Sequence, residues 1–178
     1  MEGSTSTTPK TSADSLSTAT KLVASPLPQA IGSASFTAPG ASVYCVVHGP
    51  QSAGSDDREF TDQGKFSVAV YLAPFARQGQ AEAARRQGDD SREEEEELAA
   101  RVKEALLPSL RLECLKKSVL AVHLEIVRDS GTAFSACVTC ASLALADSGL
   151  ELNDLVASRT VEVGPSGDLV ADPGGEGG

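Results

Sequence analysis

The chain has 178 residues, 40% of them apolar and 22% charged, a composition that suits one packed domain with tails. Aromatic residues make up 4% and Trp is absent, so a core must be assembled from Ala, Val and Leu, packed closely. A net charge of −10 excludes strong stand-alone binding to a phosphate backbone, and no run of 18 apolar residues exists to cross a membrane.

The N-terminus lacks the basic start, apolar stretch and small-residue cleavage site of a secretory signal. Residues 1–24 are rich in Ser and Thr and follow no hydrophobic period, which predicts a disordered tail. Residues 32–36 predict a short strand, Gly40 a turn, and residues 42–48 a stronger strand. In the latter, Val43, Tyr44, Val46 and Val47 suit a pleated, half-buried surface. Gly49-Pro50 is expected to end it, because proline has no ladder donor. Polar residues 51–62 read as a loop, and residues 65–72 as a third strand with Phe66, Val68, Val70 and Leu72 on one face. Ala73-Pro74-Phe75 closes that strand.

A polar loop over residues 78–90 leads to a helix. Ser91 is the expected N-cap, with Glu94 completing a capping box, and the helix should run to about Leu107, before Pro108. Leu98, Val102, Ala105 and Leu106 fall on one side. The glutamates at 93–97 sit at the positive end of the helix dipole and read as a solvated helix start. Residues 118–127 predict the longest strand, with Leu120, Val122, Leu124 and Ile126 on one face and Val119, Ala121, His123 and Glu125 on the other. Asp129-Ser130-Gly131 is a tight turn, from which Gly131 or Thr132 opens a helix over residues 133–147. That helix is Ala, Ser, Cys and Leu nearly all round and is therefore expected to be buried, with Gly149 as its stop. Residues 157–163 predict a last strand, residues 25–171 one domain, and the Gly-rich residues 172–178 a disordered tail.

Candidate chemistry is sparse. Cys45, Cys114, Cys137 and Cys140 lie in apolar or helical stretches and read as reduced, buried thiols of an intracellular protein. Cys137-x-x-Cys140 has redox or metal-pair spacing, but it sits on a buried helix with no second pair and no His motif, so a packing role is expected. His48 and His123 stand isolated on separate strands and read as structural. Arg77, Arg85 and Arg86 fall in the loop after the third strand, as either phosphate contacts or ordinary surface charge.

Four segments together resemble the RNase PH family. They are Gly32-Ser33-Ala34 with Gly40 and the run from Val43 through Gly49-Pro50, then Val70-Tyr71-Leu72-Ala73-Pro74-Phe75-Ala76, then the acidic-start helix through Leu106-Leu107-Pro108. The fourth, and most specific, joins residues 124–129, Gly131-Thr132, the small-residue helix ending Ala144-Leu145-Ala146-Asp147-Ser148-Gly149, and residues 152–156. Each motif is plain; their order and spacing over roughly residues 29–173 carry the resemblance. The Ala-Pro-Phe-Ala ending and the glutamate-rich helix are most similar to the messenger-RNA-transport-regulator branch of the exosome ring subunits.

The resemblance implies an α/β (α+β) fold, an RNase PH-like domain with a mixed β-sheet packed on helices. It also implies partners: other RNase PH-like exosome subunits, RNA-binding cap subunits, and RNA passing through the assembled ring, in nucleus, nucleolus and cytoplasm. In active members an Arg follows the Gly-Thr of the turn and grips phosphate; here that position is Ala133. Active members also carry catalytic carboxylates just beyond an Asp-Pro-like segment, whereas Asp172-Pro173 is followed by Gly-Gly-Glu-Gly-Gly. The reading is therefore of a non-catalytic ring subunit, truncated at its C-terminus relative to the family, with no catalytic residue, cofactor, metal or membrane contact. Two alternatives stay open: an active phosphate-dependent 3′-to-5′ exoribonuclease, and a truncated member that does not assemble.

Overall fold

The computed structural model describes residues 20–52, 64–76, 88–116, 118–164, 167 and 169–171. Its main strands are β1 (Lys21–Ala24), β2 (Gly32–Ala38), β3 (Ala41–Ser52), β4 (Lys65–Leu72) and β5 (Ser118–Asp129), forming one sheet in the order β1-β2-β3-β5-β4. All neighbours are antiparallel except β4 and β5, which run parallel. A parallel pair cannot be closed by a hairpin, and the crossover is helix α1 (Gly88–Leu106), followed by two short 3-10 turns, Leu107–Ser109 and Leu112–Cys114. Helix α2 (Ala133–Asp147) follows β5, and a separate antiparallel pair, β6 (Val161–Val163) with β7 (Leu169–Ala171), comes last.

Register explains which face is covered. Val43, Ile126 and Leu72 stand abreast on β3, β5 and β4, as do Cys45, Leu124 and Val70, then Val47, Val122 and Val68. This face meets both helices: α1 lies over β4, and α2 over β2 and β3. Leu106, Leu120, Leu124, Ile126 and Leu145 are fully buried at the join, each contributing about 1.5–3 kcal/mol. The expected apolar faces of β4, α1 and β5 are those observed in the core. The other face, with Tyr44, Glu125 and Tyr71 abreast, is open.

Helix α2 is covered on its second side too. The extended segment after Gly149 passes along it, and Thr139 Oγ1 donates to Ser158 O while accepting from Ser158 N, both at 3.1 Å. Val156 N donates to Ser142 Oγ at 2.9 Å, and Thr160 Oγ1 to Ser135 Oγ at 2.9 Å. Positions 135, 139 and 142 are one helical stripe, so the hydroxyls that a buried helix would leave unsatisfied are the ones stitched to the passing chain.

Several expectations are corrected. Lys21–Ala24, placed in the disordered tail, is strand β1; all four residues are exposed, so backbone pairing to β2 holds them and no apolar period could signal it. Pro50 does not end β3: the strand continues to Ser52 because a bulge between His48 and Gln51 sets the donor-less proline outside the ladder. Helix α1 begins at Gly88, so Ser91 lies inside it and is not its N-cap. The strand expected over residues 157–163 is three residues long and pairs only with β7; residues 157–160 lie in no strand.

A second contact fixes the N-terminal end of the sheet. Asp147, the last residue of α2, accepts from Ser25 Oγ at 2.5 Å and from Ser33 N at 3.0 Å. These two donors hold its carboxyl below the ordinary carboxylate range. Beside it, a Cβ placed on Gly32 would lie 2.3 Å from Ala144 O and 2.7 Å from Ser148 Cβ, so α2 can close on β2 only over a glycine. Gly32→Ala is expected to destabilise the chain by roughly 1–3 kcal/mol, through overpacking against backbone that cannot yield. Chemical denaturation checks this, and an unchanged midpoint would contradict it.

Candidate functional site

The turn from β5 into α2 is the place where sequence reasoning put the chemistry. Gly131 has a φ of +94° and nothing within 4 Å of its missing Cβ, so it is required for its backbone shape and not for space. Asp129 Oδ1 accepts from Gly131 N at 2.8 Å and from Ala133 N at 3.3 Å. Thr132, the expected opener, occupies the N-cap position without a side-chain cap bond, so Asp129 does the capping from three residues upstream. The amides of Gly131 and Ala133 at this turn thus already hold the chain's own carboxylate where an anion could otherwise sit.

Beside this turn is a cleft of about 270 Å³ lined by α1 and the start of α2. Glu94, Glu97 and Asp129 supply carboxylates there, and Arg101 supplies a guanidinium, stacked 4.6 Å from the Phe134 ring centroid. Ala133, nearly buried, offers neither charge nor donor beyond its amide. Glu95, read as part of a solvated run, is instead half-buried: its Oε1 accepts from Leu72 N at 2.8 Å and ties α1 to the end of β4. The single signal for it in the sequence is its place one helical turn before Leu98 and Ala99 on the apolar side of α1.

The other singled-out residues fall elsewhere. Arg77, Arg85 and Arg86 lie outside the described residues, as does Asp172-Pro173. His48 and His123, expected to be isolated, meet edge to face with centroids 5.3 Å apart on the open face of the sheet. They sit diagonally, because His48 is opposite Ala121 and His123 opposite Val46. His48 also lines a cavity of about 450 Å³ with Val46 and the loop residues Leu27, Pro28, Gln29 and Ala30.

Three of the four cysteines are buried as expected; Cys114 is not, because it lies in the second 3-10 turn, exposed beside Glu151. Cys140 Sγ is directed to Ala34 O at 3.5 Å and Val43 O at 3.7 Å, one carbonyl from each strand under α2. Burial pushes the Cys45 and Cys137 thiols well up, and moves Cys140 from an ordinary 9.0 to about 12. Among the described residues no three His, Cys, Asp or Glu side chains converge as a metal ion requires.

Comparisons with known proteins place this geometry. Residues 19–151 match the family model described as the 3′ exoribonuclease family, domain 1. The chain is 34% identical over 160 residues to human Exosome complex component MTR3, covering 83% of this chain and 57% of that protein. It is 28% identical over 142 residues to Exosome complex component mtr3 of Schizosaccharomyces pombe, covering 79% and 52%. To Exosome complex component Rrp41 of Pyrobaculum arsenaticum it is 31% identical over 130 residues, covering 73% and 51%. It therefore spans little more than half the length of the curated relatives it matches. Rice Rrp46 superposes with a TM-score of 0.69 over 87% of this chain and 68% of that one; at 19% identity this likeness is one of fold alone.

The cysteine environment has a direct consequence. A thiol with a value near 12 has roughly a thousandfold less thiolate at pH 8 than an ordinary one. With a thiol-specific disulfide reagent, one equivalent is expected to react quickly in the native protein, from Cys114, and four in denaturant. Fast native reaction of three or four thiols would contradict the buried arrangement.

Proposed function

The chain belongs to the RNase PH family, and from that membership we propose that it is a non-catalytic subunit of the RNA exosome ring, supporting 3′-to-5′ RNA processing and degradation. Its partners on this reading are other RNase PH-like exosome subunits and RNA-binding cap subunits, with RNA threading the assembled ring in nucleus, nucleolus and cytoplasm. Three relatives carry the name Exosome complex component, which supports assembly as the role. Arg77, Arg85 and Arg86 are the proposed RNA contacts, since phosphate is met by cations and this chain as a whole is acidic.

The observation that carries the non-catalytic half is the charge at the turn into α2. Phosphorolysis brings inorganic phosphate to the terminal phosphodiester, whose phosphorus it attacks to release a nucleoside diphosphate. Two anions must meet in one site, and only preorganised donors or cations make that possible. Here both turn amides already hold Asp129, Ala133 stands where the family resemblance implies arginine, and Glu94 and Glu97 line the same cleft. Among the described lining residues Arg101 is the one guanidinium, and it is spread over Phe134. Substituting alanine for a bidentate arginine removes a grip that lysine itself does not reproduce.

The folded chain, incubated with single-stranded RNA and inorganic phosphate, is expected to release no nucleoside diphosphate above the phosphate-free background. Phosphate-dependent release in step with protein concentration would overturn the non-catalytic reading and establish an exoribonuclease.

A further inference from the structure

The Ser25–Asp147 contact lies far from the turn just described and has features of its own. Ser25 is exposed, has a φ of +55°, and is followed by Pro26, with Pro28 two residues on. Its hydroxyl donates to Asp147 Oδ1, and its backbone amide to Ser33 O at 2.9 Å. Ser33, fully buried, closes the loop: Leu27 N donates to Ser33 Oγ at 3.0 Å, and that hydroxyl donates back to Leu27 O at 3.2 Å. So the strap over residues 25–31 is held by a few polar contacts, and it links β1, an exposed edge strand of four residues paired to β2, to the start of β2. Segments with few buried apolar contacts lie at the low end of local stability.

From these observations we infer that Ser25 is a phosphorylation site for a proline-directed protein kinase, and that its modification unlatches the strap and β1 from helix α2. A serine followed by proline presents an acceptor whose next residue has no amide hydrogen to satisfy, the feature a proline-directed kinase cleft reads. In the transfer, Ser25 Oγ attacks the γ-phosphorus of ATP. The new Oγ–P bond forms as the bond to the β-phosphate oxygen breaks, the hydroxyl proton passes to the kinase's base, and ADP leaves.

The product cannot keep the present geometry. The hydroxyl that donated to Asp147 becomes a phosphate of about −1.5 to −2 charge with acceptors only. It would face a carboxylate and the negative end of the α2 dipole, two groups that both repel it. Release of the strap opens the cavity shared by Leu27, Pro28, Gln29 and Ala30 with Val46 and His48. This inference does not rest on the exosome reading.

The test is to treat the full chain with ATP and a proline-directed serine/threonine kinase, map the phosphate by mass spectrometry, and compare amide exchange before and after. Thr8-Pro9 is a second proline-directed dipeptide in the same chain and reports that the kinase was active. Phosphate is expected on Ser25, with exchange of the Ser25 and Ser33 amides faster by at least about tenfold and β5 unchanged, as like charges at close range require. In Asp147→Asn, which keeps an acceptor for the hydroxyl but no charge, phosphorylation is expected to proceed while the added exchange is smaller. Phosphate on Thr8 but none on Ser25 would overturn the site. Phospho-Ser25 with unchanged exchange at Ser33, or equal acceleration in Asp147→Asn, would overturn the latch.

Discussion

The approach of helix α2 to strands β2 and β3 is the contact on which the rest of the structure depends. Ala133, Ala136, Cys137, Cys140, Ala141 and Ala144 are all buried on a helix that meets Ala34, Val43, Cys45 and Val47. With so few large side chains at the seam, the hydrophobic gain has to come from closeness, and interiors of this density tolerate little change of volume. Closeness has visible signs. The Cys140 thiol reaches carbonyls of both strands, and Gly32 has no room for a methyl group beside Ala144 and Ser148. Once α2 is seated, its start and end fall at fixed points on the sheet. One end becomes the turn at Asp129, and the other becomes the anchor for Ser25 and Ser33.

The two ends of that helix share a chemistry. At the N-terminal end the favourable place for an anion is taken by an internal carboxylate, and the surrounding cleft adds more negative charge. At the C-terminal end Asp147 stands against the dipole, and two donors from the strap compensate for it. Negative charge thus gathers at both ends, relieved at the first, among the described lining residues, by Arg101 alone, which is stacked on Phe134. The same feature supports a scaffold role in a family of phosphorolytic fold and makes the strap sensitive to an added charge. Fold alone assigns no activity, and here the argument for function lies in what the side chains at one turn can and cannot stabilise.

Where burial leaves a period in the sequence, the elements were legible. The alternation of Leu120, Val122, Leu124 and Ile126 marks β5, Phe66 to Leu72 marks β4, and the small-residue run from Ala133 to Asp147 marks α2 to the residue, with Gly149 beyond it. Elements held by backbone pairing or single polar contacts were not. Strand β1 has no buried residue, β3 passes Pro50 by a bulge that depends on its partner, and Glu95 differs from its four glutamate neighbours only by what lies across from it. The His48–His123 contact needs the register of two strands about 75 residues apart, which no local pattern contains. At the candidate site the sequence showed Ala133 and the Asp129 turn, but not that one carboxylate oxygen would take both turn amides.

A tagged chain recovered from native extract, with its co-purifying proteins identified by mass spectrometry, tests the scaffold role most directly. The account predicts several other RNase PH-like proteins together with RNA-binding cap proteins. Recovery of the chain alone, or with chaperones only, would contradict it.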